Sequence, residues 1–188
     1  MLIKIETLLV KKWYKVVKCG KNKSIFTSKF LKSLLNIIGT YECRVDAKGR
    51  LMFPVAFKNQ LAEVVAQGFV IKRSIFRNCL ELYPVPEWNA ESARINKLNR
   101  FRKKNVDFIR KFMAGVKIVE LDHAGRLLIP KDLFNFATIS KDIVMASVVN
   151  KIEIWDKDEY EKAVSYDPEE FANLAEEVMG DNDIDLTE

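Results

Sequence analysis

Two stretches, DAKGRLMFP at 46–54 and DHAGRLLIP at 122–130, each set an aspartate four residues before an arginine, with a glycine just ahead of the arginine. In such a turn an Asp side chain accepts hydrogen bonds from backbone N–H groups a few residues on. The glycine takes the positive φ that closes a short hairpin loop. The arginine then starts the return strand, close to the Asp across the hairpin. Two readings of this pattern stand. In one, Asp46–Arg50 and Asp122–Arg126 are hairpin staples and nothing more, although exposed ion pairs contribute little and seldom explain a whole motif. In the other, Asp46, Gly49, Asp122 and Gly125 organise turns that present Arg50 and Arg126 to an anionic partner, with Lys48 in the first copy. A rigidly held guanidinium suits phosphate contacts and bidentate reading of guanine edges. Arg44 and His123 complete the candidate DNA-contacting set.

The same residues argue against catalysis. His123 is the only histidine and directly follows Asp122, and neighbours on an extended segment point to opposite faces. The first copy has Ala47 at that place. No G-x-S-x-G, H-E-x-x-H or phosphate-binding glycine loop occurs. Cys19, Cys43 and Cys79 lie far apart without a C-x-x-C pair, so neither a zinc site nor a disulfide framework is indicated. The expectation is a non-enzymatic protein with no catalytic residue, metal or cofactor, its thiols reduced in the cytoplasm.

Charge is unevenly spread along the 188 residues, whose net is +5. Residues 1–38 carry a net of +8, residues 39–164 a net of +6, and residues 165–188 a net of −9. A basic body is compatible with a polyanion partner. Hydrophobic content of 48% is ordinary for a globular protein, and no apolar run approaches the ~18 residues that span a bilayer. Residues 1–38 have neither the apolar core nor the cleavage site of a signal peptide. They read as a basic N-terminal extension.

The elements that must position the turns follow from periodicity. GTYECRV alternates as a half-buried strand and runs into the first turn. Pro54 opens a helix that Gly68 ends, and FVIKR (69–73) and CLELY (79–83) read as strands. A basic helical region follows, with Trp88, Ile95, Leu98, Val106, Ile109 and Phe112 as its apolar stripe. Its basic residues read as a solvated face, with secondary phosphate contacts as the alternative. The pattern then restarts: GVKIVEL, turn, LLI, Pro130 and a helix, then strands at 143–148 and 151–155. LELYPVPEW (80–88) matches IEIWDKDEY (152–160), a second mark of an internal repeat. At the end, Asp167 is placed as N-cap of a helix whose face is Phe171, Leu174, Ala175 and Val178, with DNDIDLTE disordered beyond Gly180.

With GTYECRVDAKGRLMFPVAF, AGVKIVELDHAGRLLIPKDLF and the LELYPVPEW/IEIWDKDEYE pair, the chain resembles the MraZ family within the SpoVT/AbrB-like DNA-binding group. The similarity covers roughly residues 37–164 and runs into the acidic tail. The resemblance implies an α+β fold of duplicated SpoVT/AbrB-like swapped-hairpin β elements with helices, pseudo-twofold within the chain. The expected organisation is an extension over 1–38, a first unit over 39–88, a connecting basic helical region over 89–114, a second unit over 115–164 and an acidic helix and tail over 165–188. It also implies a transcriptional regulator of the division and cell wall gene cluster. Such a regulator binds direct repeats in promoter double-stranded DNA as a homo-oligomer, a ring, in the cytoplasm at the nucleoid, with no membrane association. The family motif falls on Asp46 and Arg50 and again on Asp122 and Arg126, and Lys48 matches its commoner form. The first turn is therefore expected to be the stronger DNA contact. Residues 1–36 have no counterpart in the family, which leaves a mis-set translation start or a lineage-specific basic arm. The alternative function is an antitoxin-type interaction protein with an AbrB-like hairpin, its acidic C-terminal segment masking a partner protein.

Overall fold

Strand β1 (Thr40–Arg44) keeps the alternation of its sequence, with Tyr41 and Cys43 half-buried between exposed neighbours. After the first turn come β2 (Arg50–Met52), the short helix α1 (Val55–Gln60), β3 (Phe69–Arg73), β4 (Leu80–Pro84) and α2 (Val85–Asn96). Helix α3 (Lys103–Phe112) connects to the second copy: β5 (Lys117–Val119), β6 (Arg126–Leu128), α4 (Lys131–Phe136), β7 (Asp142–Val148), β8 (Lys151–Asp156) and α5 (Lys157–Val164). Helix α6 (Pro168–Gly180) follows. This computed structural model describes residues 35–180. Most of the extension expected over 1–38, and the terminal DNDIDLTE, lie outside the described residues.

Among the described residues the strands form two antiparallel sheets, one in the order β1-β7-β8-β4-β3-β5 and one of β2 with β6. The leading strands are exchanged. β1 pairs with β7 of the second copy, and β5 pairs with β3 of the first. The expected swapped hairpins are thus present within one chain, and the fold is the expected α+β duplication. The register fixes its symmetry. Glu81 faces Glu153 across β4 and β8, and Leu51 faces Leu127 across β2 and β6. Each is its partner's counterpart in the repeat, so the pseudo-twofold axis passes through both pairs.

One face of the large sheet packs on the small one. Leu51, Leu127, Phe57 and Leu133 are fully buried there, and the Phe53 ring lies 5.3 Å from that of Phe69. Side chains of this size contribute roughly 1.5–3 kcal/mol each on burial. The opposite face carries Val70, Tyr83, Trp88 and Phe112 as one cluster, with Trp88 stacked on Phe112 at 5.9 Å. Next to it lies a buried ionic network. Lys72 Nζ meets Glu81 Oε2 at 2.7 Å, and Lys151 Nζ meets Glu81 Oε1 at 2.7 Å and Glu153 Oε1 at 3.5 Å. Like charges directly opposite on a sheet repel, and the two lysines offset the facing glutamates. They come from different places: Lys72 faces Glu81 where Ala146 faces Glu153, and Lys151 stands where the first copy has Cys79.

Two helices differ from their sequence patterns. The helix after Pro54 ends at Gln60, residues 61–64 form turns, and a 3-10 turn at Val65–Gln67 leads to Gly68. Leu61 turns inward and is fully buried, and the following β-branched Val64–Val65 pair disfavours another regular turn. The basic region is two helices, α2 and α3. Asn99 breaks it: its Oδ1 accepts from Phe101 N at 2.9 Å and its carbonyl from Asn105 Nδ2 at 2.8 Å, a local alternative to helical bonding. The C-terminal helix starts as expected, with Asp167 Oδ1 accepting from Glu169 N at 2.9 Å. Phe171 and Leu174 on its apolar face remain about half exposed. No helix among the described residues is long and apolar enough to cross a membrane.

Candidate nucleic-acid interface

The two turns are near copies at atomic detail. Asp46 Oδ1 accepts from Lys48 N at 2.8 Å and Arg50 N at 3.0 Å, and Oδ2 accepts from Arg50 Nε at 2.8 Å. Asp122 Oδ1 accepts from Ala124 N and Arg126 N, both at 2.9 Å, and Oδ2 from Arg126 Nε at 2.8 Å. Gly49 and Gly125 sit at φ +79° and +75°, in the left-handed region that favours glycine, and each donates its N–H back to the Asp carbonyl. One carboxylate therefore ties the loop and aims the arginine together.

This arrangement fixes the charge state of both aspartates. The Arg50 guanidinium on the Asp46 carboxylate, with the backbone N–H of Arg50, holds that carboxyl well down, to about 2. Asp122 is lowered in the same direction, first by the Arg126 backbone N–H. Neither carboxylate is free to act as a general base. Among the described residues His123 makes no hydrogen bond, and the Asp122 oxygens are taken by Ala124 and Arg126, so the two neighbours do not form a dyad. No cluster of three metal-ligating side chains occurs among the described residues.

The tips are held to one another. In the β2–β6 register Arg50 faces Leu128 and Met52 faces Arg126. Just beyond, Phe53 N donates to Gly125 O at 3.1 Å and Ile129 N to Gly49 O at 2.9 Å. Period-two alternation turns Leu51 and Leu127 inward and puts Arg50, Met52, Arg126 and Leu128 on the outer face. Met52 and Leu128 are more than half exposed there, and each arginine side chain is about one-third exposed. A guanidinium has five N–H donors, so binding the Asp leaves donors for a partner. The result is a rigid platform with two braced arginines flanked by apolar side chains, suited to phosphates, guanine edges and thymine methyl groups.

Lys48 and His123 lie exposed at the two tips. Arg44 is placed differently: it ends β1, 76% exposed, with Nε 2.8 Å from Asp142 Oδ1. The sequence reading passed over Lys58, Lys131 and Lys141. Lys58 Nζ approaches Gly125 at the second tip, and Lys131 and Lys141 flank the first. They are distant in sequence from the turns they adjoin, and only the strand exchange brings them there. A lysine in the helix after each repeated proline (Pro54 and Pro130), at 58 and 131, was the available signal.

The comparisons with known proteins converge on one family. A family model described as "MraZ protein, putative antitoxin-like" matches twice, over residues 37–111 and 112–182. A protein of Christiangramia forsetii named Transcriptional regulator MraZ is 62% identical over 152 residues, covering 81% of this chain and 98% of that protein. A Flavobacterium psychrophilum protein of the same name is 63% identical over 144 residues, covering 77% of this chain and 92% of its own. A more distant one from Cytophaga hutchinsonii is 40% identical over 141 residues, covering 75% and 93%.

Proposed function

The chain belongs to the MraZ family, and from that premise we propose that it is a DNA-binding transcriptional regulator whose two hairpin tips meet the duplex. The observation that carries the reading is the doubled tip: two Asp-braced arginines fixed on one small sheet by mutual backbone hydrogen bonds. A staple alone needs neither the outward arginine face nor its duplication. In this reading Arg50, Arg126, Lys48, Arg44 and His123 contact DNA, and Asp46, Gly49, Asp122 and Gly125 hold the turns. The protein acts by binding, with no chemistry of its own, in the cytoplasm at the nucleoid.

The finer proposal is a homo-oligomer, a ring that places successive tip pairs along direct repeats upstream of the division and cell wall gene cluster. Exposed Phe171 and Leu174 on α6, and Ile118 on the edge strand β5, supply apolar surface for contacts between copies. The antitoxin alternative is less well supported. The relatives that match over most of their length are named as transcriptional regulators. The acidic C-terminal segment, moreover, starts as a capped helix. Binding to the DNA upstream of the chain's own gene, followed by fluorescence anisotropy across a salt series, tests the reading. Affinity should fall steeply with salt as counterions are released, and light scattering should give a mass several times 21.7 kDa. A monomer that ignores this DNA at low salt, or co-purifies in fixed ratio with a toxin, overturns it.

A further inference from the structure

The two tips differ in what surrounds them. Beside the first runs a groove of about 810 Å³, bounded on one side by Asp46 and Lys48 and on the other by Lys131, Ser140 and Lys141. The far wall belongs to the second repeat. It is held in place by backbone bonds to the hairpin itself: Val45 N donates to Lys141 O at 2.9 Å, and Ile129 N to Gly49 O at 2.9 Å. Ser140, the residue before Lys141, is in turn pinned by Asp156, whose Oδ2 accepts from its hydroxyl at 2.7 Å and its N–H at 3.0 Å. The lysine positions are thus set by the fold rather than by loose loops.

The electrostatics of this groove are one-sided. Among its lining residues the one carboxylate is Asp46, and that group is committed to Arg50. Lys48, Lys131 and Lys141 make no ion pair among the described residues, whereas Lys72, Lys117, Lys151, Lys157 and Lys162 all do. The equivalent positions of the second tip are weaker. Ala124 stands for Lys48, Val55 for Lys131 and Gln67 for Lys141, and Lys58 near Gly125 is the compensating cation.

We infer that the groove beside the first tip is a phosphate-backbone site, in which Lys131 and Lys141 from the second repeat grip the strand next to the one Arg50 reads. This rests on the DNA-binding reading above and makes the tips unequal partners. The first is read and clamped, the second is read with one supporting lysine. Phosphate contacts carry no sequence information, so their loss weakens all duplexes alike.

The test uses the full chain and two labelled duplexes, one from upstream of its own gene and one of unrelated sequence. Lys131→Ala/Lys141→Ala should weaken both by the same factor and lower the slope of log affinity against log salt by about 2, two phosphate contacts. Lys131→Arg/Lys141→Arg should keep the slope. A control with the same change in net charge, Lys157→Ala/Lys162→Ala, removes lysines paired with Glu42 and Glu159 and should leave the slope unchanged. Circular dichroism checks that each variant is folded. Wild-type protein that binds neither duplex overturns the DNA-binding reading itself. Wild-type protein that binds with a steep slope, alongside a Lys131/Lys141 double variant that keeps that slope or a control that loses as much, overturns the groove alone.

Discussion

Replacing Glu81 by leucine strikes the pseudo-twofold axis, and the structure sets the size of the effect. Glu81 accepts from Lys72 Nζ at 2.7 Å, Lys151 Nζ at 2.7 Å, Tyr83 Oη at 3.1 Å and Ser74 Oγ at 3.2 Å. Lys72 is fully buried, and without Glu81 its ammonium keeps one hydrogen-bond acceptor, the Arg73 carbonyl at 2.8 Å, and the face of the Phe112 ring at 4.6 Å, with no anionic partner among the described residues. A buried charge stripped of its partner costs about 3–5 kcal/mol, a large share of the ~5–15 kcal/mol that holds a typical domain folded. Lys72→Met should cost far less, roughly 1–2 kcal/mol. Glu81 then keeps Lys151, Tyr83 and Ser74, and the lysine's own desolvation is relieved. The double variant should be more stable than Glu81→Leu alone, because no orphaned ammonium remains at position 72.

Urea unfolding at pH 7 measures all three variants against wild type. Acid adds a second signature. Burial pushes the Glu81 carboxyl up, but the hydrogen bonds and charges of Lys151 and Lys72 outweigh it and hold it below its ordinary 4.5. A carboxyl lowered by folding contributes stability above its unfolded value and loses it as pH falls through the folded one. The gap between wild type and Glu81→Leu should therefore be full at neutral pH and shrink below about 4.5. Glu81→Leu within about 0.5 kcal/mol of wild type, or single-variant costs that simply add, would refute the reasoning.

Other outcomes follow from the tips. The Asp46 carboxyl should titrate near 2 by carbon NMR, far below its ordinary 3.8, and Arg50→Ala should return it toward that value; a midpoint near 4 in wild type contradicts the brace. The sign is the same as for Glu81: the brace contributes above 3.8 and fades as pH falls through about 2. Gly49→Ala should destabilise more than Gly125→Ala, by about 2 against 1 kcal/mol. Both positions have positive φ, but a Cβ at Gly49 would also meet the Ile129 carbonyl at 3.2 Å, whereas at Gly125 the nearest atom is the flexible Lys58 Nζ at 4.0 Å. Thermal melts reading the reverse order would contradict this account of the two turns.

The turns were legible in the sequence because their chemistry is local. Asp, Gly and Arg within five residues determine one another's geometry, and the second copy repeats the evidence. Strands such as FVIKR and the capped start of α6 were legible for the same reason. What was not legible depends on partners far away in sequence. Lys72 inside FVIKR has the type of a surface residue, and the charge of Glu81 on the neighbouring strand, which the sequence does not pair with it, makes its burial tolerable. Lys131 and Lys141 look like ordinary exposed lysines until the β1–β7 exchange lays them against the first hairpin. The break between α2 and α3 turned on Asn99, whose side chain competes with helical bonding in a stretch otherwise rich in helix formers.

The central claim is that the braced arginines are the reading heads of a DNA-binding protein. Binding of Arg50→Ala, Arg126→Ala and the double variant to the chain's own upstream duplex, measured by anisotropy beside an unrelated duplex, tests it most directly. Each single change should cost about 1–3 kcal/mol on the upstream duplex if the arginine reads a base, and much less on the unrelated one. Arg50→Ala should be the more damaging of the two. A folded double variant that binds the upstream duplex as tightly as wild type would reduce both motifs to hairpin staples and contradict the account.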